Sequence, residues 1–339
     1  MERTHKATLI PGDGIGPSIS EAAVAIMEAT GVVIQWEVCH AGLAAIANGK
    51  DPLPKETADS IDRTGVVLKG PITTPVGGGY KSVNVSLRQK YDLYANLRPC
   101  RSFEGLVTPF PNTDIVVVRE NTEGLYTGQE MYVDPDKRAA IVVACNTRSA
   151  MDRVCKYTFE WAKANGRKKV TCIHKANILK IFSGIFLESF RETSKNYPEL
   201  VADERIIDAA SMELVRKPHT YDVVVTTNLF GDIISDLTAG LVGGLGVAPG
   251  ANYGDKVAIF EAIHGSAPDI AGKGIANPIS LVLAGAMMLK HIGEDKASDS
   301  VNNAVRAVIK EGKYLTPDLT PGSKHCTADI TKAIIDKLN

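Results

Sequence analysis

The chain has almost no excess charge of either sign: 38 lysines and arginines stand against 39 aspartates and glutamates, a formal net charge of −1. That near-cancellation excludes a nucleic-acid or anionic-membrane binder that works by bulk attraction. Long apolar runs are also missing. The longest, Ile279 to Leu289, is about half of the roughly 20 residues that a membrane span needs. The six cysteines (Cys39, Cys100, Cys145, Cys155, Cys172 and Cys326) are far apart and form no CxxC pair. A zinc cluster or disulfide framework is therefore excluded, and reduced thiols are expected. MERTHK leads straight into an apolar run with no signal-peptide core, which points to the cytoplasm, or to the mitochondrial matrix for a processed form. Internal repeats, low-complexity tracts and an obvious linker are absent as well.

What is there is an ordinary globular composition, 44% hydrophobic and 23% charged, which excludes disorder. The 339 residues exceed the roughly 250–300 at which a single core stops growing, so two domains are expected. Lys6–Ile10, Val32–Val38 and Val66–Lys69 read as strands, with a helical period from Ser18 to Thr30 between the first two. Further β-branched runs follow at Ile115–Arg119, Ala140–Ala144, Val170–His174 and Val223–Thr227. Helical periods occupy Ala150–Ala164, Ile178–Phe190 and Gly231–Leu241, and from Ile279 onward the pattern is helical apart from KYLTPDLTPGS. Such alternation implies an α/β architecture with a mainly parallel sheet.

Four constellations carry chemistry. LIPGDGIGP places Gly12, Gly14 and Gly16 between a strand and a helix, with Glu37 at the end of the next strand. The spacing is GxGxG followed by Pro17, whereas the dinucleotide fingerprint is GxGxxG, and a tight strand-to-helix turn accounts for the same residues. Arg88, Arg98 and Arg119 lie near strand ends and Gly/Pro loops; their guanidinium forks suit a polyanionic small molecule. Asp232 and Asp236 in NLFGDIISD stand one helical turn apart on one face. Like charges at that spacing repel unless a cation sits between them, and oxygen-only ligands favour Mg²⁺ or Mn²⁺. Asp208, ending the strand-like ERIID, is a further carboxylate, and Lys175 after VTCIH and Tyr126 in ENTEGLY are candidate proton-transfer groups.

In chain order, PGDGIGP, GPITTPVGGG, LYANLRP, VVVRENTEGLY, HKANILK, NLFGDIISDLTAGLVGGLG and FEAIHGSAPDIAGKGIANP resemble the motifs of the β-decarboxylating dehydrogenases, the family of isocitrate, isopropylmalate and homoisocitrate dehydrogenases. The resemblance implies an α/β fold that is not a Rossmann fold. Its two domains are discontinuous: residues 1–93 with 243–339, and residues 94–242 with a clasp near 124–150 at a dimer interface. The N-terminal glycine loop is then not the dinucleotide site. The resemblance places the cofactor on Thr74, Asn84, Glu261, His264, Gly265, Ser266, Ala267, Asp269, Ile270 and Asn277.

Isopropylmalate enzymes carry apolar side chains just before the Leu87-Arg88 position, where this chain has Ser82 and Asn84. A hydroxyl and an amide can hydrogen-bond a third carboxylate, and either would be left unsatisfied beside an isopropyl group. Isocitrate is the implied substrate. NADP-dependent relatives place Lys-Tyr at Asp269 and Ile270 and a tyrosine at Pro317; a carboxylate at that place repels a 2′-phosphate and accepts from ribose hydroxyls. NAD is the implied cofactor. By resemblance, Arg88, Arg98 and Arg119 clamp the substrate with Ser82 and Asn84, and Asp232 and Asp236 hold Mg²⁺ or Mn²⁺ together with Asp208 of a neighbouring subunit. Lys175, also from the neighbour, and Tyr126 move protons, so a homodimer with shared active sites is implied. Homoisocitrate or tartrate/malate-type oxidation is the alternative within the enzyme class. A non-catalytic regulatory subunit is the alternative outside it, against which the retained Tyr126, Lys175, Asp208, Asp232 and Asp236 argue. A phosphate on Ser82 would repel the substrate's distal carboxylate.

Overall fold

The apolar runs become strands and the 3.6-residue periods between them become helices. The computed structural model describes residues 4–75 and 80–338; residues 1–3 and 339, and residues 76–79 of the GPITTPVGGG motif, lie outside the described residues. The chain begins β1 (Thr4–Ile10), α1 (Gly16–Ala29), β2 (Val33–Val38), α2 (Leu43–Ala47), α3 (Lys55–Thr64) and β3 (Val66–Lys69). It continues through α4 (Val83–Lys90), β4 (Ala95–Arg101), β5 (Asp114–Glu120), the short strands β6 (Gln129–Tyr132) and β7 (Ala140–Val143), and α5 (Arg148–Ala164). Then come β8 (Lys169–His174), α6 (Gly184–Ser194), β9 (Val201–Ile206), α7 (Ile207–Leu214), β10 (Val223–Thr226) and α8 (Asn228–Leu241). The last elements are β11 (Pro249–Tyr253), β12 (Ala258–Ala262), α9 (Ile279–His291), α10 (Asp295–Glu311) and α11 (Thr327–Ile335). No helix among the described residues is long and apolar enough to cross a membrane.

The chain divides into two units. The first comprises Met1–Tyr91, Arg101–Asn112 and Ala239–Asn339, so residues 101–112 group with it, whereas the sequence reading assigned them to the middle domain. Its strand order is β2-β1-β3-β12-β11. β1 pairs in parallel with β2 and β3, and β3 with β12, whereas β11 and β12 are antiparallel. That one reversal has a local cause: Gly254 N–H bonds to Val257 O at 2.9 Å across a short turn, and only antiparallel neighbours can be joined so tightly. The core is built on α9, the apolar run noted above. Ile279, Leu281, Val282, Ala284, Ala286, Met288 and Leu289 of α9 are all buried, as expected of a helix that is apolar all round. α1 and α10 pack on it, and each large aliphatic side chain buried there stabilises the unit by about 1.5–3 kcal/mol.

The second unit comprises Asp92–Cys100 and Thr113–Thr238, with strand order β4-β5-β10-β8-β9. β5, β10, β8 and β9 pair in parallel. Val116–Val118 and Val223–Val225 are fully buried, which is why these strands read as unbroken β-branched runs and not as alternating ones. Phe159 of α5 lies 5.4 Å from Phe190 of α6 and 5.1 Å from Tyr197, ring centre to ring centre.

Ala140–Val143 is a strand, exposed along its length, and among the described residues it pairs with the equally exposed β6. Two local expectations are corrected. The helical period from Ile178 begins as turns, and α6 starts only at Gly184, with Ile178, Leu179 and Ile181 exposed; with no core beneath them, a helical period has nothing to pack against. Asp208 lies in the first turn of α7, past the end of β9, where a helix N-terminus favours a carboxylate.

Candidate active site

The chemistry of the second unit starts from a buried cation. Arg119, on β5, is 1% exposed, and a guanidinium taken out of water must be fully partnered. Its Nε and Nη2 donate to Asn228 Oδ1 at 3.0 and 2.7 Å, and its Nη1 donates to Asp232. Its planar head also lies 4.8 Å from the centre of the Tyr126 ring, within cation–π range. Asn228, Asp232, Ser235 and Asp236 recur at helical spacing, so α8 turns all of them to one side.

Arg98, on β4, supplies the cation that the two aspartates require. Its Nη1 donates to Asp236 at 3.0 Å and to Ser235 Oγ at 2.6 Å, its Nη2 lies 3.6 Å from Asp232, and its Nε donates to Asn96 Oδ1 at 2.9 Å. Burial raises the Asp236 carboxyl above its ordinary pKa, opposed by Arg98 and reinforced by the Asp232 charge. The Tyr126 hydroxyl donates to Asp232. Arg98, Arg119, Tyr126, Asp232 and Asp236 are thus one cluster.

Asn228 is a member of this cluster that spacing did not reveal. It is buried, and its Nδ2 donates to Glu123 O at 2.9 Å, so it joins Arg119 to the turn that carries Tyr126. Glu120 shapes the same turn by accepting from Thr122 N and Oγ1, both at 2.7 Å, and from Glu123 N at 3.1 Å. Burial pushes the Glu120 carboxyl up, against those bonds. Gly231 is needed for a steric reason: a Cβ there would lie 2.5 Å from Arg119 Cγ and 2.6 Å from its Cβ.

Lys175 and Asp208 form a separate ion pair, which holds the Asp208 carboxyl below its ordinary pKa. The Lys175 turn is fixed by Lys175 N–H on Ser183 Oγ at 3.0 Å and by Ala176 N–H on His174 Nδ1 at 3.1 Å. Asp208 does not join Asp232 and Asp236 within the chain: among the described residues, no three His, Cys, Asp or Glu side chains gather as a metal site.

In the first unit, Ser82 caps α4 by accepting from Val85 N, and its hydroxyl lies 3.2 Å from Thr74 Oγ1. Asn84 and Arg88 stand one turn apart on α4, and the Asn84 amide oxygen is buried without a partner among the described residues. Arg88 approaches Glu261 at 3.9 Å. Glu261 is buried, accepts from Asn252 Nδ2 at 2.7 Å and is paired with the equally buried Lys69 at 2.7 Å. Burial alone would raise its carboxyl, but the Lys69 and Arg88 charges outweigh that and hold it at about 2.

A cavity of about 620 Å³ is lined by His264, Gly265, Ala267, Ile270 and Asn277 of the expected cofactor residues, and also by Ile15, Gly246 and Asp318. His264 Nδ1 bonds to Gly265 O at 3.0 Å, while its Nε2 is buried without a partner among the described residues. Burial lowers the pKa of this ring and so favours its neutral form. Asn277 Nδ2 donates to Asp318 at 3.0 Å. Ser266 does not line the cavity; its hydroxyl bonds Thr73 Oγ1 at 2.7 Å. The backbone of PGDGIGP is turned onto the protein, with Asp13 N–H on Pro71 O and Ile15 N–H on Ser266 O. Those amides are therefore not offered to a phosphate.

The model of the isocitrate/isopropylmalate dehydrogenase family matches residues 6–334. The chain belongs to this family. It is similar to a mitochondrial regulatory subunit of isocitrate dehydrogenase [NAD] from Dictyostelium discoideum, with 47% identity over 341 residues, 99% of this chain and 94% of that one. It is also similar to isocitrate dehydrogenase [NADP] of Thermus thermophilus, with 44% identity over 98% of this chain and 67% of that one. The crystal structure of isocitrate dehydrogenase from Methylococcus capsulatus shares 56% identity and a TM-score of 0.96, covering 98% of this chain and 99% of that one. The family's α/β fold, distinct from a Rossmann fold, is thus the fold of this chain.

Packing and burial give two tests. Gly231→Ala forces its Cβ onto Arg119 and should destabilise the protein by about 1–3 kcal/mol. Gly240→Ala, on the same helix with open space around its Cβ, should stabilise it by up to about 1 kcal/mol; urea midpoints of the two variants check both. Glu261 has a folded pKa of about 2 against an ordinary 4.5. Its contribution to stability is therefore fully present above pH 4.5 and is lost as pH falls toward 2. Glu261→Gln should cost about 3 kcal/mol at neutral pH by stranding Lys69. It should also lose less stability than the wild type on acidification from pH 6 to about pH 3. Equal losses in parallel acid titrations of the two proteins would remove this role.

Proposed function

We propose that the chain oxidises and decarboxylates isocitrate to 2-oxoglutarate and CO₂ with NAD⁺, in a homodimer with shared active sites. The observation that carries this reading is the cluster of Arg98, Arg119, Tyr126, Asp232 and Asp236, which combines two guanidinium forks, two carboxylates and a hydroxyl. The all-oxygen donor set suits Mg²⁺ or Mn²⁺. Asp232 and Asp236 would hold the ion with Asp208 of a second copy, and the ion supplies Lewis-acid stabilisation of negative charge. A bound NAD⁺ would supply the hydride acceptor. Its cavity fits in that His264 Nε2, which lines it and is unpartnered among the described residues, can accept from a carboxamide N–H.

Arg98 and Arg119 bind substrate carboxylates, with Arg88, Ser82 and Asn84 toward the distal one. Lys175 Nζ of the second copy takes the hydroxyl proton, and Tyr126 Oη delivers a proton to the carbon that loses CO₂. The dimer is supported by apolar side chains that face solvent in the single chain. Met131, Tyr132, Ile141, Val142 and Val143 lie on the β6–β7 ribbon, and Ile178, Leu179 and Ile181 lie beyond Lys175. A lone two-stranded ribbon is marginal until covered. Asp269 and Ile270 support NAD over the NADP named for the Thermus relative. The compartment reading takes in the mitochondrial matrix as well as the cytoplasm, since the Dictyostelium relative is named as mitochondrial. That relative is also named as regulatory, which keeps a non-catalytic role as the second reading.

The test is steady-state kinetics of the purified chain with isocitrate, 3-isopropylmalate and homoisocitrate, each with NAD and NADP and with Mg²⁺ or Mn²⁺. Isocitrate with NAD should give the highest kcat/KM, and Asp269→Lys with Ile270→Tyr should move the preference toward NADP. A wild-type preference for NADP overturns the cofactor assignment, and inactivity of the chain on its own favours the regulatory reading. Tyr126→Phe should lower overall turnover by about 10²–10⁴-fold yet spare reduction of the free β-keto acid. Undiminished oxidative decarboxylation by that variant would take the proton-donor role from Tyr126.

A further inference from the structure

The PGDGIGP turn holds a carboxylate that neither the fold nor the proposed chemistry has used. Asp13 is 5% exposed. Its partners are backbone N–H groups from two separate segments: Leu43 at 3.2 Å and Thr73 at 2.9 Å on Oδ2, and Ala44 at 3.1 Å on Oδ1. Three donors converging on one side chain suit a carboxylate, which accepts at both oxygens, whereas a carboxamide would turn an N–H₂ toward at least one of them.

The backbone around Asp13 makes a second set of ties. Asp13 N–H bonds Pro71 O at 2.7 Å and Ile15 N–H bonds Ser266 O at 2.9 Å. Gly14, at φ +59°, sits so close to the latter loop that a Cβ would lie 2.0 Å from Ser266 O. Thr73, held by Asp13, returns a bond from its Oγ1 to Ser266 Oγ at 2.7 Å. Two segments therefore share one fixed point. Thr73 and Thr74 form an arm that reaches the Ser82 hydroxyl, and His264, Gly265 and Ala267 line the cavity together with Ile15.

We propose that Asp13 is a positioning residue that holds the Thr73–Thr74 arm and the His264–Ala267 loop in register, so that isocitrate and NAD are recognised by one pre-set frame. The proposal rests on the function proposed above. Removing the carboxylate should weaken both ligands together and leave the chemical step alone, because Asp13 touches neither reacting group.

The test is Asp13→Asn in the full chain, with kcat and both KM values measured beside amide hydrogen exchange. The KM values for isocitrate and NAD should each rise at least fivefold with kcat within twofold of wild type. Exchange should quicken at Thr73, Leu43 and Ala44 and also in 264–267. Met27→Ala, a core truncation in the same unit, should lower Tm without moving either KM, which separates positioning from general loss of stability. If Asp13→Asn does not fold, Thr73→Val, which removes only the side-chain link to Ser266, should raise both KM values about threefold. Unchanged KM values, a rise for one ligand alone, or a fall confined to kcat overturns the proposal. Wild-type inactivity toward isocitrate would instead overturn the functional reading. The exchange experiment would still decide the role of Asp13, since unaltered protection of 264–267 in Asp13→Asn refutes it.

Discussion

Arg119 is a permanent positive charge placed inside a sheet strand, and much of the second unit follows from the need to satisfy it. A buried guanidinium left without partners would cost several kcal/mol. Asn228 and Asp232 are therefore brought under it by α8, the Tyr126 ring lies against it, and Gly231 is bare so that the helix can come close. The same arrangement leaves Arg119 and Arg98 holding aspartates that repel each other at one-turn spacing. The site is kept assembled by internal ion pairs between groups of the kind that a polyanionic substrate and a divalent cation would engage.

The first unit solves a parallel problem with the opposite sign. Glu261 and Asp13 are both buried carboxylates, yet they are stabilised in different ways. Glu261 is held by the Lys69 and Arg88 charges, and Asp13, among the described residues, by backbone N–H groups. A charge pair ties two side chains to each other, whereas a carboxylate receiving main-chain N–H groups fixes the course of the chain itself. That difference is why Asp13 bears on loop position and Glu261 bears on acid stability. An overall charge of −1 conceals both.

Much of this was legible before any fold was known. Val66–Lys69 was read with the bounds it has in the structure, and β5, β8 and β10 within a residue or so, because strands buried on both faces are written as unbroken β-branched runs. The one-face placement of Asp232 and Asp236 also followed from spacing. Less visible was anything whose stability depends on a distant partner. The Ile178 period looks helical from its first residue, yet Ile178, Leu179 and Ile181 face solvent and the helix starts only at Gly184. β11 and β12 escaped notice because Pro249–Tyr253 carries no β-branched run and is a strand only through its antiparallel neighbour. Asn228, Lys69 and Asp13 look like ordinary polar residues until the strands that bury them are in place.

The sequence by itself determined the family through co-ordered motifs, the strand–helix alternation, and the residue types available for binding acids, a cation and a dinucleotide. Those are local properties, fixed by side-chain chemistry and by spacings of two and 3.6 residues. Only the tertiary structure decided that Arg98 is the cation between the two aspartates, that Asp208 pairs with Lys175 within the chain, and that the Asp13 and Ile15 amides bond protein carbonyls. Each of these is a contest among partners far apart in the chain, and which partner wins is set by packing and burial that no window of the sequence contains.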